Sequence, residues 1–167
     1  MVEGTLTTIA CCGRLLCADS RSQTSWGIIT SEKVKKIVVP EDKSAIYAVA
    51  GVAALITPLI AWHKAKCPPA NVPVSNIEGG WSLFVWPRAG VPELYTSQAP
   101  YKDICEVPFA MGSGMEIALG VMDHGGSAHE AVKIAMRRHT GSGGEPYVVD
   151  IAKALGLAPL PEQQTYI

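Results

Sequence analysis

The sequence predicts an α+β protein in which two antiparallel sheets are stacked between helical layers, a four-layer αββα arrangement. Short runs rich in β-branched and apolar residues, separated by turn residues, predict strands. Longer segments with apolar residues at helical spacing predict helices between them. Along the chain these elements follow one another as strands, a helix, strands, two helices and a final strand. This order is consistent with two sheets that pack on each other and are covered by helices.

The length and composition indicate one globular domain. The chain has 167 residues, which suffice for one core but are few for two domains. Hydrophobic residues make up 48% and charged residues 17%, which excludes a disordered chain. The formal net charge of −1 gives no reason to expect nucleic acid or an anionic membrane as a partner. Five cysteines without C-x-x-C spacing predict reduced thiols in a cytoplasmic protein.

The first half of the chain reads as two hairpins followed by a helix. The first hairpin turns at Gly13, and the second turns at residues 40–42. The uncharged stretch 45–62 is almost long enough to span a membrane, but it turns at Gly51 and contains Pro58. We therefore expect a buried strand that leads into a core helix. Pro58 should remove a main-chain hydrogen bond from this helix unless it lies in the first turn. The predicted elements are strands at 7–11, 15–18, 34–39 and 45–49 and a helix from residue 51 or 52 to 66.

The second half reads as three strands, two helices and a last strand. Gly125-Gly126 separates the two helices. The second helix has a capping box, in which Ser127 is the N-cap and Glu130 follows three residues later. The predicted strands are 81–86, 91–96, 107–111 and 147–151, and the first helix is 115–123. The apolar face of the second helix is predicted to contain Ala128, Ala131, Val132, Ala135 and Met136.

Six short motifs occur in an order that is typical of one enzyme family. Each is weak alone, but together they make the chain resemble proteasome β-type subunits over about residues 5–151. Within that family it looks most like the small betaproteobacterial and phage-borne homologues. The motifs are Thr7-Thr8-Ile9-Ala10, Ala18-Asp19-Ser20-Arg21, Val34-Lys35-Lys36-Ile37, Ala50-Gly51, Gly112-Ser113-Gly114 and Ser142-Gly143-Gly144.

The resemblance implies a fold, an activity and partners. The fold would be the N-terminal-nucleophile hydrolase sandwich, and the activity a threonine endopeptidase that needs no cofactor or metal. The chain would be one subunit of a self-assembled homo-oligomeric ring that cleaves unfolded or peptide substrates, with any ATPase unfoldase supplied as a separate chain. Residues 1–6 would be a propeptide, 7–151 the proteasome-like domain and 152–167 a C-terminal tail.

The resemblance also implies a role for three residues around the nucleophile. A threonine hydroxyl is a weak nucleophile and needs a base. A terminal α-amine has a reference pKa of about 7.7–8.0, so Thr7 could supply both groups if it were the mature N-terminus. The charge of Lys36 would lower the pKa of both groups, and Asp19 would orient Lys36 and keep it charged. Taken alone, Asp19 and Lys36 are more simply explained as a solvated salt bridge.

Three further residues complete the implied site. The main-chain N–H of Gly51 would donate to the developing oxyanion. Ser113 and Ser142 would hydrogen-bond the terminal amine and its relayed proton. Taken alone, the turns around both serines are ordinary turn chemistry, and Ile117 excludes a dinucleotide-binding fingerprint. His124 and His129 have no third ligand at metal-site spacing.

Three departures from the family pattern leave other functions open, and Pro58 in the helix after Gly51 is one of them. Thr7 is preceded by Leu6 rather than by the glycine that usually marks self-cleavage, and Gly4-Thr5 makes Thr5 a rival nucleophile. His139 stands where the family commonly has an aspartate, so the amine site lacks a fixed negative charge. The alternatives are a catalytically silent or zymogen ring-forming scaffold, and a non-proteolytic amide hydrolase on the same scaffold.

Overall fold

The computed structural model describes residues 6–24, 26–74, 80–98 and 102–159. Within these ranges the strands are β1 (Thr8–Cys12), β2 (Leu15–Ala18), β3 (Ser22–Gln23), β4 (Ile29–Ser31), β5 (Ile37–Val38), β6 (Ala45–Ala50), β7 (Ser82–Pro87), β8 (Glu93–Thr96), β9 (Lys102–Ile104), β10 (Phe109–Gly112) and β11 (Tyr147–Asp150). The helices are α1 (Ile56–Lys64), α2 (Met115–Asp123), α3 (Ala128–Arg138) and α4 (Ile151–Leu155), together with short 3-10 turns at Ala53–Leu55 and Pro69–Asn71.

Two antiparallel sheets form the centre of the molecule. The first has the strand order β10-β1-β2-β11, and the second has the order β5-β6-β7-β8-β9. Strands β3 and β4 form a separate two-stranded ribbon. The predicted α+β architecture of two antiparallel sheets is therefore confirmed.

The side chains of each strand alternate between two layers of the core, because successive side chains point to opposite faces of a sheet. In β1, Ile9 faces the core between the sheets, whereas Ala10 packs against the side of α2 and α3. In β6, Ile46 faces the same central core, and Tyr47 packs with α1. The central core is built mainly by Ile9, Cys11, Leu16, Ala18, Ile46, Ala48, Ala50 and Phe84. The result is the predicted order of helix, sheet, sheet and helix.

The pairing of β1 brings distant motifs to one end of the first sheet. Thr8 lies opposite Gly112 of β10, and Ile9 lies opposite Ala18 of β2. The residues that follow Ala18 and Gly112 are Asp19 and Ser113. Because β1 is central in its sheet, the segment around Thr7 is enclosed by motifs from both neighbouring strands.

Several local predictions are confirmed because near neighbours in sequence determine them. Helix α2 has the predicted bounds, and the capping box of α3 is present in both directions between Ser127 and Glu130. Pro58, which was expected to remove a hydrogen bond from a helix starting at residue 51 or 52, lies in the first turn of α1, so its missing N–H removes no helical hydrogen bond. None of the five cysteines, all of which lie in the described ranges, forms a disulfide bond. No helix in the described ranges is long and apolar enough to cross a membrane.

The structure differs from the predictions where elements are short. The helix expected from residue 51 or 52 begins as a 3-10 turn, and α1 itself starts only at Ile56. The strand expected at 34–39 is reduced to β5, and the short strands β3, β4 and β9 had no predicted counterpart. The expected tail at 152–167 begins within helix α4, because Ile151 and Leu155 are buried in the central core. Residues 160–167 lie outside the described ranges.

Candidate active site

Thr7 lies at the start of β1 in a buried position. Thr7 is only 1% exposed, and its Oγ1 has no hydrogen-bond partner among the described residues. Its main-chain N–H donates to Ser113 Oγ at 3.2 Å. A buried hydroxyl without a partner carries a desolvation cost of about 1–3 kcal/mol. Such an atom is a candidate for a functional group, because its position is not explained by a structural hydrogen bond.

The carboxylate of Asp19 organises the surroundings of Thr7. It is fully buried, and its two oxygens accept hydrogen bonds from four donors. Oδ1 accepts from the N–H of Thr8 at 2.9 Å and from Lys36 Nζ at 2.8 Å. Oδ2 accepts from the N–H of Gly143 at 3.0 Å and of Arg21 at 3.3 Å. Four donors satisfy an ionised carboxylate, so Asp19 links its own segment to three others, those of Thr8, Lys36 and Gly143.

The ammonium of Lys36 lies between Asp19 and the bond that precedes Thr7. Its side chain is 6% exposed, so the ion pair with Asp19 is a buried one and not the solvated salt bridge considered as an alternative. Lys36 Nζ also donates to the carbonyl oxygen of Leu6 at 3.4 Å. Burial lowers the pKa of Lys36 below its ordinary value, and the Asp19 carboxylate opposes that shift. The site thus holds a desolvated cation at a peptide carbonyl.

The turn that contains Ser113 wraps closely around Thr7 and Thr8. Gly112 has φ +90°, and a Cβ there would fall on the carbonyl oxygen of Thr7. A Cβ on Gly114 would fall on Thr8 Oγ1. The two glycines therefore let the Ser113 hydroxyl approach the main chain of Thr7, where it accepts from the N–H of Thr7 and lies 3.4 Å from the carbonyl oxygen.

Ser142 differs from the prediction in its contact. Its hydroxyl is buried and lies 2.6 Å from Thr8 Oγ1, rather than at the main-chain nitrogen of Thr7. The reason is the register of the loop after α3, where the next residue, Gly143, donates to Asp19. Ser142 therefore contacts the residue after the candidate nucleophile.

Gly51 follows β6, at the end of the sheet where Lys36 lies. The N–H of Val49 donates to the carbonyl of Lys36 at 3.0 Å, which brings the end of β6 beside this lysine. Gly51 has φ +144°, and a Cβ there would lie 3.1 Å from the Cβ of Trp81. Its own N–H makes no hydrogen bond within the described part of the chain, so the donor remains available.

Thr5 and His139 are two further residues that the sequence analysis singled out. Thr5, the rival nucleophile, lies outside the described residues. His139 does not reach the N–H of Thr7 among the hydrogen bonds of the described residues; its Nδ1 accepts from the N–H of Gly141 at 3.2 Å. The side chain of Leu6 packs on Gly141, so the residue before Thr7 touches the loop that His139 supports.

Solved structures with the same architecture identify the fold. HslV from Trypanosoma brucei is 16% identical, with a TM-score of 0.63 over 86% of this chain and 97% of that chain. BPH from Thiobacillus denitrificans in complex with epoxomicin is 17% identical, with a TM-score of 0.60 over 87% of this chain and 98% of that chain. A second BPH structure is 18% identical, with a TM-score of 0.58 over 87% and 97% of the two chains. No family model and no curated protein matches the sequence.

The chain has the N-terminal-nucleophile hydrolase fold. The structural match extends over nearly the whole length of the HslV and BPH chains. In an N-terminal-nucleophile hydrolase fold, the arrangement at Thr7 can support acyl transfer, because a buried hydroxyl without a partner among the described residues and a buried cation both lie at the Leu6–Thr7 peptide bond.

Sequence reasoning missed two contributors to this site. Thr8 supplies both an N–H to Asp19 and a hydroxyl to Ser142. Arg21 supplies an N–H to Asp19, and its guanidinium packs against Gly143. These residues belong to two of the six motifs of the sequence. A motif alone, however, does not show which of its residues donate hydrogen bonds to the Asp19 carboxylate.

Proposed function

We propose that the protein is a threonine endopeptidase whose nucleophile is Thr7, released as an N-terminal residue by removal of residues 1–6. The observation that carries this proposal is the position of Lys36 Nζ. It lies 2.8 Å from Asp19 Oδ1 and 3.4 Å from the carbonyl oxygen of Leu6. This oxygen belongs to the Leu6–Thr7 peptide bond, which must break. A buried cation at this atom would stabilise the negative charge that forms there during cleavage.

The maturation step is an acyl shift within residues 6 and 7. Thr7 Oγ1 adds to the carbonyl carbon of Leu6, and negative charge develops on the oxygen that Lys36 contacts. The carbon–nitrogen bond then breaks, so the acyl group passes from nitrogen to oxygen and the hydroxyl proton passes to the Thr7 nitrogen. Water hydrolyses the resulting ester, which releases the Leu6 carboxylate and leaves Thr7 with a free amine and hydroxyl.

Turnover on other polypeptides would use the same residues. The free amine of Thr7 takes the hydroxyl proton, and Oγ1 attacks the substrate carbonyl to give an acyl-enzyme that water hydrolyses. Lys36 lowers the pKa of the hydroxyl by its charge, and Asp19 orients Lys36. The N–H of Gly51, which makes no hydrogen bond to any described residue, is the proposed oxyanion donor.

The two serines have different parts in this proposal. Ser113 holds the Thr7 nitrogen, which its hydroxyl already contacts. Ser142 acts through Thr8, because its hydroxyl contacts Thr8 Oγ1 and thereby fixes the residue that follows the nucleophile.

The assembly state belongs to the same proposal. From the resemblance of the six motifs to proteasome β-type subunits, we infer that this chain forms a homo-oligomeric ring in which cleavage is confined to unfolded or peptide substrates. The fold shared with HslV and BPH supports this inference. Reduced cysteines favour a cytoplasmic location. Any ATPase that delivers substrate would be a separate chain.

The proposal is tested with a form of the protein that begins at Thr7. This form can be released from an N-terminal fusion by a site-specific protease and incubated with fluorogenic peptides. We expect hydrolysis by this form and none by the matched form with Thr7→Ala. Because BPH was solved with epoxomicin, we also expect epoxomicin to bind the form that begins at Thr7. A folded protein that begins at Thr7, assembles and cleaves no peptide would identify the silent scaffold instead.

A further inference from the structure

A cavity lies beside the candidate active site, between helix α3 and the loop that follows Ser142. It has a volume of about 560 Å³, which is within the range of small-molecule sites. We name it the basic cavity. Its charged lining residues come from three segments: Arg21 and Glu32 with Lys33 on one side, Lys133 and Arg137 of α3 on another, and Glu145 of the loop.

The charges of the basic cavity do not balance. Arg21 is neutralised by Glu32, since its guanidinium donates to Oε1 at 2.8 Å. Lys33, Lys133 and Arg137 have no ion-pair partner within the described residues. Against these three cations stands only the carboxylate of Glu145, so the lining carries an excess of two positive charges. The whole protein has a net charge of −1, so this excess is local and does not follow from a basic composition.

The cations on α3 repel one another and have one nearby counter-charge outside the cavity lining. Glu130 lies three residues before Lys133 on this helix and interacts with it electrostatically. Lys133 and Arg137 are four residues apart on the same helix, where like charges destabilise the helix by about 0.2–0.5 kcal/mol. The negative end of the helix dipole favours a cation in the last turn, which accounts for Arg137 and equally for Arg138. Only Arg137 lines the cavity. The dipole therefore does not explain why Lys133, Arg137 and Lys33 face the same space.

We propose that the basic cavity binds a small multivalent oxyanion, of the phosphate or polycarboxylate class. Such a ligand would supply the missing negative charge to cations from two sides of the cavity, and guanidinium and ammonium groups are the usual partners of these anions.

The basic cavity shares a wall with the candidate active site. The N–H of Gly143 donates to Asp19 Oδ2, and the guanidinium of Arg21 lies against Gly143. A bound oxyanion would hold Arg21, α3 and this loop together, so it stabilises the folded state. This binding does not depend on the proposed peptidase activity, and it is measured without it.

The test uses the full-length protein and sodium pyrophosphate, with binding followed by isothermal titration calorimetry and by the thermal unfolding midpoint. Citrate in place of pyrophosphate distinguishes the two anion classes, and sodium chloride matches the ionic strength in every sample. The cavity variant is Lys133→Gln/Arg137→Gln, and the control variant is Arg138→Gln. The control removes the same kind of charge from the same helix end but outside the cavity.

We expect saturable binding of pyrophosphate or citrate, a rise in the unfolding midpoint, and a dissociation constant at least tenfold higher in the cavity variant. The control should bind within twofold of the unchanged protein. Lys33→Gln, on the opposite side of the cavity, should also raise the dissociation constant. The proposal is overturned if neither anion binds saturably, if the cavity variant binds as the unchanged protein does, or if Arg138→Gln loses as much affinity as the cavity variant.

Discussion

The ammonium of Lys36 donates to the main-chain carbonyl of Leu6 across 3.4 Å. This contact places a buried positive charge at the peptide bond before Thr7, the residue whose hydroxyl is buried and without a hydrogen-bond partner among the described residues. Asp19 holds the ammonium in place at 2.8 Å and is itself fixed by three main-chain N–H groups. The proposed cleavage at Leu6–Thr7 rests most directly on this relationship.

Replacing Lys36 by methionine should abolish both maturation and peptide hydrolysis. Methionine keeps most of the side-chain volume but removes the charge at the Leu6 carbonyl. Loss of one preorganised donor at an oxyanion costs about 10²–10³ in rate, so we expect at least a hundredfold decrease in Leu6–Thr7 cleavage. The rate is measured by intact mass spectrometry over time.

The matched control for this variant is Lys35→Met. Lys35 is the adjacent residue, but it is exposed and its ammonium lies 5.9 Å from the ring centre of Tyr147. We expect cleavage within twofold of the unchanged protein. Circular dichroism must show that Lys36→Met is folded, because an unpaired buried carboxylate destabilises a protein by about 3–5 kcal/mol. Equal cleavage rates in the two folded variants would exclude a role for the Lys36 charge.

The lowered pKa of Lys36 has a consequence for stability in alkaline solution. Between its folded-state pKa and the ordinary value of 10.5, the unfolded chain binds a proton at Lys36 that the folded chain has lost. The free energy of unfolding therefore gains a contribution that rises with pH in this interval and that is absent below it. Lys36→Met cannot make this contribution.

We expect the stability difference between the unchanged protein and Lys36→Met to move in favour of the unchanged protein as the pH rises towards 10.5. Urea unfolding at a series of pH values measures it. The buried thiols titrate equally in both proteins, so their effect cancels in the difference. A difference that is constant, or that moves the other way, would show that burial does not lower this pKa.

Gly112 should not tolerate a side chain. At φ +90° an alanine is strained, and its Cβ would fall on the carbonyl oxygen of Thr7. Backbone strain of this kind costs about 1–3 kcal/mol, and the displaced Thr7 should also slow cleavage of the Leu6–Thr7 bond. Urea unfolding and intact mass spectrometry measure the two effects of Gly112→Ala.

Gly120 provides the opposite result in the neighbouring helix. It lies within α2, and a Cβ there would meet nothing within 4 Å. Gly120→Ala should stabilise the protein by about 0.5–1 kcal/mol, because alanine loses less conformational entropy in a helix. If both variants had the same stability, the close approach of Gly112 to Thr7 would not be a constraint on the fold.

The sequence was sufficient where structure depends on neighbours a few residues apart. The capping box joins Ser127 and Glu130 within one helical turn, so it could be predicted and is present. The β-branched and apolar run at 7–11 likewise predicted a strand, which is present as β1, and the structure shows that both of its faces are buried, by Ile9 on one side and Ala10 on the other. Short exposed strands such as β4, which contributes Ile29, carry too few residues for a period to be visible.

The site contacts could be predicted less well, because they join residues that are far apart in the chain. Ser142 meets Thr8 over 134 positions, and Ser113 meets Thr7 over 106. The motifs indicated that these segments converge. Which hydroxyl faces which atom depends on the exact register of β1 and on the loop after α3, and neither is encoded in a short motif. Helix α4 was missed because its five residues are stabilised by burial of Ile151 and Leu155.

The most direct test of the account is the intact mass of the purified full-length protein before and after incubation at neutral pH, with Thr7→Ala measured in parallel. We expect the unchanged protein to lose residues 1–6 and so to begin at Thr7, while Thr7→Ala stays at full length. Loss of residues 1–4 would instead make Thr5 the terminal residue and contradict the assignment of the nucleophile. A mass that stays at full length, in a folded and assembled protein, would contradict self-processing at Leu6–Thr7.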